Sequence, residues 1–292
     1  MKLPSNQLRF IEAQQWASSF LERKGKDPAI AYHLLLGMMD WDVTTWYRKQ
    51  REQMDPLTLK NYQEMLGKIV NEDMPYQYLL GEAWFYGYRF RVNEATLIPR
   101  FDTERLIDCV HTLRKSGQLE KQADVLDLGT GSGAIAVTLA KELPDLKLTA
   151  VDISSDALAV AKENAYFHQV TIEWIKGDML DAVAQRKFDL IISNPPYISE
   201  NEIDEMGEDV LKYEPKLALF AKDDGYYYYK QFARHIQSYM KADGILLMEC
   251  GSHQAAKIIS LFKKSNPKAE VKSIKDYNGI DRIIYVQWKK DK

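Results

Sequence analysis

The chain has 292 residues, of which 46% are apolar and 28% charged, and its formal net charge is −3. That length accommodates one large domain and a smaller one, and the composition is that of an ordinary globular protein. No run of eighteen apolar residues offers a membrane span, residues 1–10 lack a signal-peptide core, and the slightly acidic balance argues against a surface built for a phosphate backbone, so a cytoplasmic location is expected.

Residues 1–75 read as a small helical bundle. Leu8, Ile11, Trp16, Phe20 and Leu21 recur at roughly helical spacing. Asp27-Pro28 predicts a second helix, with aspartate as N-cap and proline in the first turn, running through Ile30, Tyr32, Leu34 and Leu35 towards Met38. Asp55-Pro56 opens another in the same way, through Leu59, Tyr62, Met65, Leu66 and Ile69. Residues 1–78 balance ten Lys/Arg against ten Asp/Glu. Residues 76–98 read as a linker, in which alternation from Tyr88 to Val92 beside Gly87 predicts a β-hairpin.

Residues 99–292 read as a doubly wound α/β domain, because strands and helices alternate. A helix is expected from Thr103 to Lys115, a strand from Val125 to Leu128, and a helix starting near Ser132. Leu148–Asp152 is the next strand and Ser155–His168 the next helix; Thr171–Lys176, Leu190–Ser193, Ile245–Glu249 and the closing segment Asp281–Trp288 are further strands. The run Tyr226–Tyr229 is expected on a helix packed against the sheet. Cys109 and Cys250 stand in unrelated apolar settings, as buried thiols would. The five histidines are scattered without ligand spacing, so no metal site is expected.

Two motifs carry chemistry. Asp127-Leu128-Gly129-Thr130-Gly131-Ser132-Gly133 follows a strand and opens a helix. Its glycines allow a tight turn and close ligand approach, and the helix terminus adds amide donors. Asp152 ends the next strand, nineteen residues after Gly133, where a carboxylate can accept from both hydroxyls of a ribose. The string also satisfies a dinucleotide fingerprint, so a nicotinamide enzyme is a rival reading. Asp127 is expected either to contact the amino-acid portion of the ligand or to hold the turn.

About sixty residues downstream, the apolar run ending at Ser193 is followed by Asn194-Pro195-Pro196-Tyr197. An amide or aromatic NH2 is a poor nucleophile whose lone pair is delocalised. The Asn194 side-chain oxygen can accept one of its N–H groups and the Pro195 carbonyl the other, which aims the nitrogen and stabilises the positive charge it develops. Tyr197 can stack on the planar group, and Pro195 and Pro196 stiffen the loop. Asn194, Pro195 and Tyr197 are the expected catalytic residues, and all four form the expected substrate loop. Positioning of this kind is worth roughly 7–11 kcal/mol. The two motifs together point to methyl transfer from S-adenosyl-L-methionine to a nitrogen.

The pair resembles amino-group methyltransferases generally, including those acting on adenine N6 or guanine N2 of nucleic acid. Further segments narrow the resemblance: Pro75-Tyr76-Gln77-Tyr78-Leu79-Leu80-Gly81, Leu97-Ile98-Pro99-Arg100-Phe101-Asp102-Thr103-Glu104, Tyr213-Glu214-Pro215, Asp223-Asp224-Gly225, Glu249-Cys250-Gly251 with Gln254, and Asp276-Tyr277 with Gly279, Asp281 and Arg282. They are similar to the protein-(glutamine-N5) methyltransferases that modify peptide chain release factors, the PrmC/HemK family. The resemblance implies a Rossmann-like class I methyltransferase sheet of seven strands, with a helical substrate-recognition domain at 1–75 and a catalytic domain at 99–292. It implies a substrate glutamine in the Gly-Gly-Gln loop of class 1 release factors, with an effect on translation termination. It places Gly129 to Gly133, Asp152, Asp178, Met179 and Asn194 beside the donor, with Arg100, Phe101 and Glu104 as further candidates. The expected protein is a monomer without direct nucleic-acid or membrane contact. The acidic run Glu200, Glu202, Asp204, Glu205, Glu208 and Asp209 beside the tetrapeptide disfavours the nucleic-acid alternative. Three positions depart from the family pattern: Phe101-Asp102 stands where Pro-Glu or Pro-Asp is usual, Met179 where tryptophan is common, and Cys250 where isoleucine is common.

Overall fold

A computed structural model describes residues 7–289. The chain forms two compact units, Met1–Glu82 with Gly207–Tyr213, and Ala83–Met206 with Glu214–Lys292. No described helix is long and apolar enough to cross a membrane.

The first unit holds α1 (Phe10–Glu22), α2 (Ile30–Met39), α3 (Val43–Lys49), α4 (Pro56–Asn71) and α5 (Tyr76–Leu80). α4 starts where the sequence predicts: Asp55 accepts from the amides of Leu57 and Thr58 at 3.1 and 3.0 Å, and Pro56 needs no partner there. It buries Leu59, Tyr62, Leu66 and Ile69 on one face, and the Tyr62 hydroxyl donates to the Ala31 carbonyl of α2 at 2.8 Å. α2 begins later than expected. The Asp27 side chain accepts from the Ala29 amide at 2.8 Å, and bonds from Ile30 to the Asp27 carbonyl and from Ala31 to the Pro28 carbonyl close a tighter turn first. α3 escapes the sequence pattern because it is short and buries only Trp46. Ala13 and Ala17 of α1 pack with Leu34 and Leu35 of α2 and Leu66 of α4 in one core.

The second unit opens with a hairpin, β1 (Glu82–Phe85) and β2 (Tyr88–Arg91), as expected. Tyr86 and Gly87 both have positive φ, 51° and 75°, the signature of a two-residue turn whose twist matches its strands. In chain order there follow α6 (Glu104–Lys115), β3 (Asp124–Leu128), α7 (Ala134–Glu142), β4 (Lys147–Asp152), α8 (Ser155–Phe167), β5 (Glu173–Lys176) and β6 (Phe188–Ser193). Then come α9 (Glu208–Tyr213, counted with the helical unit), α10 (Lys216–Leu219), α11 (Tyr227–His235), β7 (Met240–Glu249), α12 (Ala255–Ser265), β8 (Glu270–Lys275) and β9 (Asp281–Gln287).

The main sheet has seven strands in the order β5-β4-β3-β6-β7-β9-β8. β5, β4, β3, β6 and β7 run parallel, and β9 is antiparallel to both β7 and β8. Parallel strands covered on both faces read as continuous apolar runs, and alternate residues serve opposite faces. Val125, Leu190 and Ile192 join one core with α6 and α7; Leu126, Leu128 and Ile191 join the other with α11 and α12. Tyr229 of the tyrosine run is buried in this second core, with its hydroxyl donating to the Glu249 carbonyl at 2.8 Å. β8 is an edge strand that the sequence pattern does not single out. Glu270, Lys272 and Lys275 mask its alternation while protecting the sheet margin.

Asn164, fully buried on α8, fastens the hairpin and the glycine loop to the same helix. Its Oδ1 accepts from the Arg91 amide at 2.7 Å, and its Nδ2 donates to the carbonyls of Arg91 and Ser132 at 3.0 and 2.9 Å. Asn164→Ala leaves all three backbone groups without this partner and opens a small void. The expected loss is about 3 kcal/mol, read as a lower urea midpoint at unchanged slope.

Candidate active site

Among the parallel strands β3 stands between β4 and β6: the chain runs from β3 through β4 to β5 on one side, then crosses back to β6 and β7 on the other. Such a reversal opens a crevice at the carboxyl ends of the strands. The glycine loop leaves β3 here, Asp152 ends β4 and Asn194 follows β6. The amides of Gly129 and Thr130 donate to the Val151 carbonyl at 2.9 and 3.0 Å, and Ser193 Oγ donates to the Leu128 carbonyl at 2.8 Å, so the three strand ends are fixed to one another.

A cavity of about 230 Å³ occupies the crevice. Gly129, Thr130, Gly131 and Ser132 form one wall, and Asp152, Asp178 and Met179 another, with Asn194 and Pro196 at the β6 side. Gly131 has φ of 56°, nothing lies within 4 Å of where its Cβ would be, and its amide donates to Asp152 Oδ2 at 2.8 Å. Asp152 Oδ1 accepts from the Ser154 amide at 2.9 Å, so each carboxylate oxygen is held by one backbone amide and keeps capacity for another donor. Burial raises its pKa against those amide bonds. Met179 has φ of 42°, and its Cε lies 3.4 Å from the Cβ position of Gly129, so it closes over the loop.

Two residues of the expected donor set lie behind the cavity wall. A Cβ on Gly133 would stand 3.1 Å from Ala161 Cβ, so this glycine allows α7 and α8 to approach. Asp127 is fully buried; its Oδ2 accepts from Thr130 Oγ1 at 2.6 Å, and its Oδ1 has no hydrogen-bond partner among the described residues. Of the two roles read from the sequence, this placement favours holding the turn. Burial pushes its pKa up to about 7, with the Thr130 hydroxyl pulling the other way.

The tetrapeptide is held from behind. Asn194 Nδ2 donates to Thr103 Oγ1 at 3.1 Å, Thr103 Oγ1 donates to Glu249 Oε2 at 2.6 Å, and the Tyr197 hydroxyl donates to Glu249 Oε1 at 3.4 Å. Tyr197 does not line the cavity: its ring packs with the core beneath the sheet, and its carbonyl accepts from Gln254 Nε2 at 2.9 Å. These contacts brace the loop. Pro195 is buried and also outside the lining. Glu249, at the end of β7, is only 2% exposed, and burial pushes its pKa up to about 7 against the Thr103 hydrogen bond and the Arg282 charge.

Of the three additional candidates, Arg100 lines the cavity and pairs with the buried Glu214, which also accepts from the Ile98 amide at 3.2 Å. Phe101 is 63% exposed and stands beside Tyr277, ring centroids 5.0 Å apart. Glu104 accepts from the Tyr86 amide at 2.7 Å, away from the cavity. Sequence reasoning assigned no role to Thr103, Glu214 or Glu249; the only local signal was their presence inside the family-like segments.

The raised carboxyls make stability depend on pH. Asp127 in the fold, at about 7, lies above its ordinary 3.8, so its contribution is fully present below the unfolded value and is lost as pH rises through about 7. Glu249 acts in the same direction from 4.5. Across that window the wild type is expected to lose on the order of 4 kcal/mol relative to Asp127→Asn, whose side chain does not titrate. Urea unfolding of both proteins over a pH series measures the difference; parallel curves contradict it.

The chain matches the PrmC N-terminal domain family over residues 12–81 and the Methyltransferase small domain family over residues 103–216. It is 41% identical over 280 residues to a release factor glutamine methyltransferase of Enterococcus faecalis (strain ATCC 700802 / V583), spanning 96% of this chain and 99% of the relative. The corresponding protein of Streptococcus pneumoniae (strain ATCC BAA-255 / R6) is 40% identical, spanning 94% and 98%. A methyltransferase from Pyrococcus furiosus shares the fold, with a TM-score of 0.52 over 80% of this chain and 100% of that one at 17% identity. Because the first two relatives are 41% and 40% identical over 96% and 94% of this chain, and the two family models match within both units, the chain belongs to the release factor glutamine methyltransferase family.

Proposed function

We propose that this protein transfers a methyl group from S-adenosyl-L-methionine to the side-chain amide nitrogen (N5) of the glutamine in the Gly-Gly-Gln loop of class 1 peptide chain release factors. The observation that carries the reading is the Asn194 side chain. Its nitrogen is engaged by Thr103, which leaves its oxygen as an acceptor at a cavity shared with the glycine loop.

The residues present fit the donor. Gly131 leaves open space where a side chain would stand, and Asp152 presents amide-anchored oxygens with room for ribose hydroxyls. Gly129 to Ser132 would hold the donor's amino-acid portion, and Asp178 and Met179 would flank its base. When bound, the donor would supply an electrophilic methyl group on a positively charged sulfur, which keeps the S–CH3 electron pair and leaves as neutral-sulfur S-adenosyl-L-homocysteine.

The chain's part is positioning. Asn194 Oδ1 accepts one N–H of the glutamine amide and the Pro195 carbonyl accepts the other, which fixes the plane of the nitrogen and aims its lone pair. Both acceptors stabilise the positive charge that grows on nitrogen. The alkylated amide is acidic and releases its proton afterwards, so no general base is needed before transfer. Exposed Glu200, Glu202 and Asp204 beside this loop support a protein substrate over a nucleic acid. We read residues 1–75 as the recognition domain for the folded factor, 76–98 as the linker and 99–292 as the catalytic domain, acting as a monomer.

Mass spectrometry of an unmethylated class 1 release factor, incubated with this protein and S-adenosyl-L-methionine, tests the reaction. One methyl on the Gly-Gly-Gln glutamine is expected, and an unmodified factor under conditions of proven donor binding refutes the substrate. Asn194→Ala is expected to lower transfer about 100- to 1000-fold while donor affinity, by calorimetry, stays near wild type. For the helical unit, Tyr47 and Leu57 are 71% and 66% exposed on α3 and α4. Replacing both by serine is expected to raise KM for the factor and leave the donor Kd unchanged; an unchanged KM removes these helices from factor recognition.

A further inference from the structure

We infer that Thr103 and Glu249 set the polarity of the Asn194 side-chain amide, so that its oxygen and not its nitrogen faces the group to be methylated. The inference rests on the methyl-transfer reading above and assigns two positioning residues to it.

The two ends of an asparagine amide have nearly the same shape, and which one faces a ligand is decided by hydrogen-bond partners. Here the partners decide it in sequence. An ionised Glu249 only accepts. Thr103 has one hydroxyl proton, and at 2.6 Å from Glu249 Oε2 that proton is committed to the hydrogen bond it donates to the carboxylate. The Thr103 oxygen is thereby left as an acceptor towards Asn194, 3.1 Å away, and only Nδ2 can donate to it. Oδ1 then points the other way. The relay is shielded, because Thr103 and Glu249 are 5% and 2% exposed, so water offers little competition. An amide turned by 180° would present N–H groups to the N–H groups of the substrate amide, which is repulsive.

The polarity holds while Glu249 is ionised. A protonated carboxyl can donate to Thr103, turn its hydroxyl and release Asn194. Five titratable or charged groups among the described residues face or flank this carboxyl: Asp102 from the turn before α6, Tyr197 from the loop after β6, Tyr229 from α11, Cys250 just after β7, and Arg282 from β9. Arg282 favours the ionised form; it also pairs with Asp102 and Asp276, both at 3.3 Å. Burial favours the neutral form and pushes the carboxyl to about 7, within reach of an ordinary assay.

Two readouts test the relay. The first is the side-chain NH2 resonance of Asn194 in 15N-asparagine-labelled protein, assigned by its loss in Asn194→Ala. It is expected to shift in Thr103→Val, to return in Thr103→Ser, and in the wild type to titrate with Glu249, a titration absent in Glu249→Gln. The second is kinetic: Thr103→Val is expected to lower kcat about 100-fold, with KM and donor Kd near wild type and Thr103→Ser restoring the rate. A folded Thr103→Val with an unmoved Asn194 resonance and wild-type kcat overturns the relay. If Thr103→Val does not fold, the Glu249→Gln titration decides, and an Asn194 resonance that titrates identically in both proteins overturns it. If the wild type transfers no methyl to a release factor, the substrate reading fails while the resonance measurements still judge the relay.

Discussion

Everything at the site depends on the reversal of strand order at β3. Three neighbouring parallel strands, β4, β3 and β6, end side by side, and the chain leaves them in diverging directions. The crevice this opens is a consequence of right-handed crossovers on a twisted sheet and needs no special residues. The chemistry is then a matter of what each strand carries at its carboxyl end. β3 carries the glycine turn, β4 carries Asp152 and β6 carries Asn194. Because the ends are tied by backbone carbonyls at Val151 and Leu128, a displacement of one strand moves all three, and the geometry of the cavity is inherited from the sheet.

The carboxyls around this point are held where water would not leave them. Asp127 and Glu249 are buried in low-dielectric surroundings and held near the middle of the pH scale, and Asp152 is shifted in the same direction. Burial of an ionisable group disfavours its charged form, so each residue subtracts from stability in the range where it is ionised. The surrounding polar groups limit that loss. Asp152 has two amides, Glu249 has the Thr103 and Tyr197 hydroxyls, and Asp127 has Thr130. Asp127 is the least satisfied, with no hydrogen-bond partner on Oδ1 among the described residues. The apolar cores on either face of the sheet are extensive enough to hold these groups in place.

The glycine loop and the Asn-Pro-Pro-Tyr loop were legible in the sequence because each is contiguous and each follows an apolar run that has to be a strand. The supporting residues were not, because their meaning lies in partners far along the chain. Thr103 meets Asn194 and Glu249 across 91 and 146 positions, and Asn164 meets Arg91 across 73. Apart from the family-like segment around Thr103, nothing in the immediate neighbourhood of these residues marks them out from a surface threonine or a helix asparagine. Tyr197 has a contact that the sequence could not show, for a related reason. Its ring invites a stacking role, but its hydroxyl finds a buried carboxylate, and a phenol with such a partner is oriented by it. Among the elements, β8 was hidden by the lysines suited to an edge, and the start of α2 by a capped turn that tightens before the helix proper.

The separation between Asn194 and Glu249 has a further consequence for selectivity. A carboxylate at position 194 would offer two acceptors as well, and with more charge. It would also draw in ammonium groups, which lysines present far more often than glutamines present a bare amide nitrogen, and an ammonium has no lone pair to give. A neutral amide oxygen and a backbone carbonyl favour a neutral NH2 group instead. The negative charge needed to fix the asparagine is kept one residue back, behind Thr103, where it governs orientation without touching the substrate. The site thus places its charge where it sets direction, and leaves the contact itself to groups that discriminate by hydrogen-bond polarity.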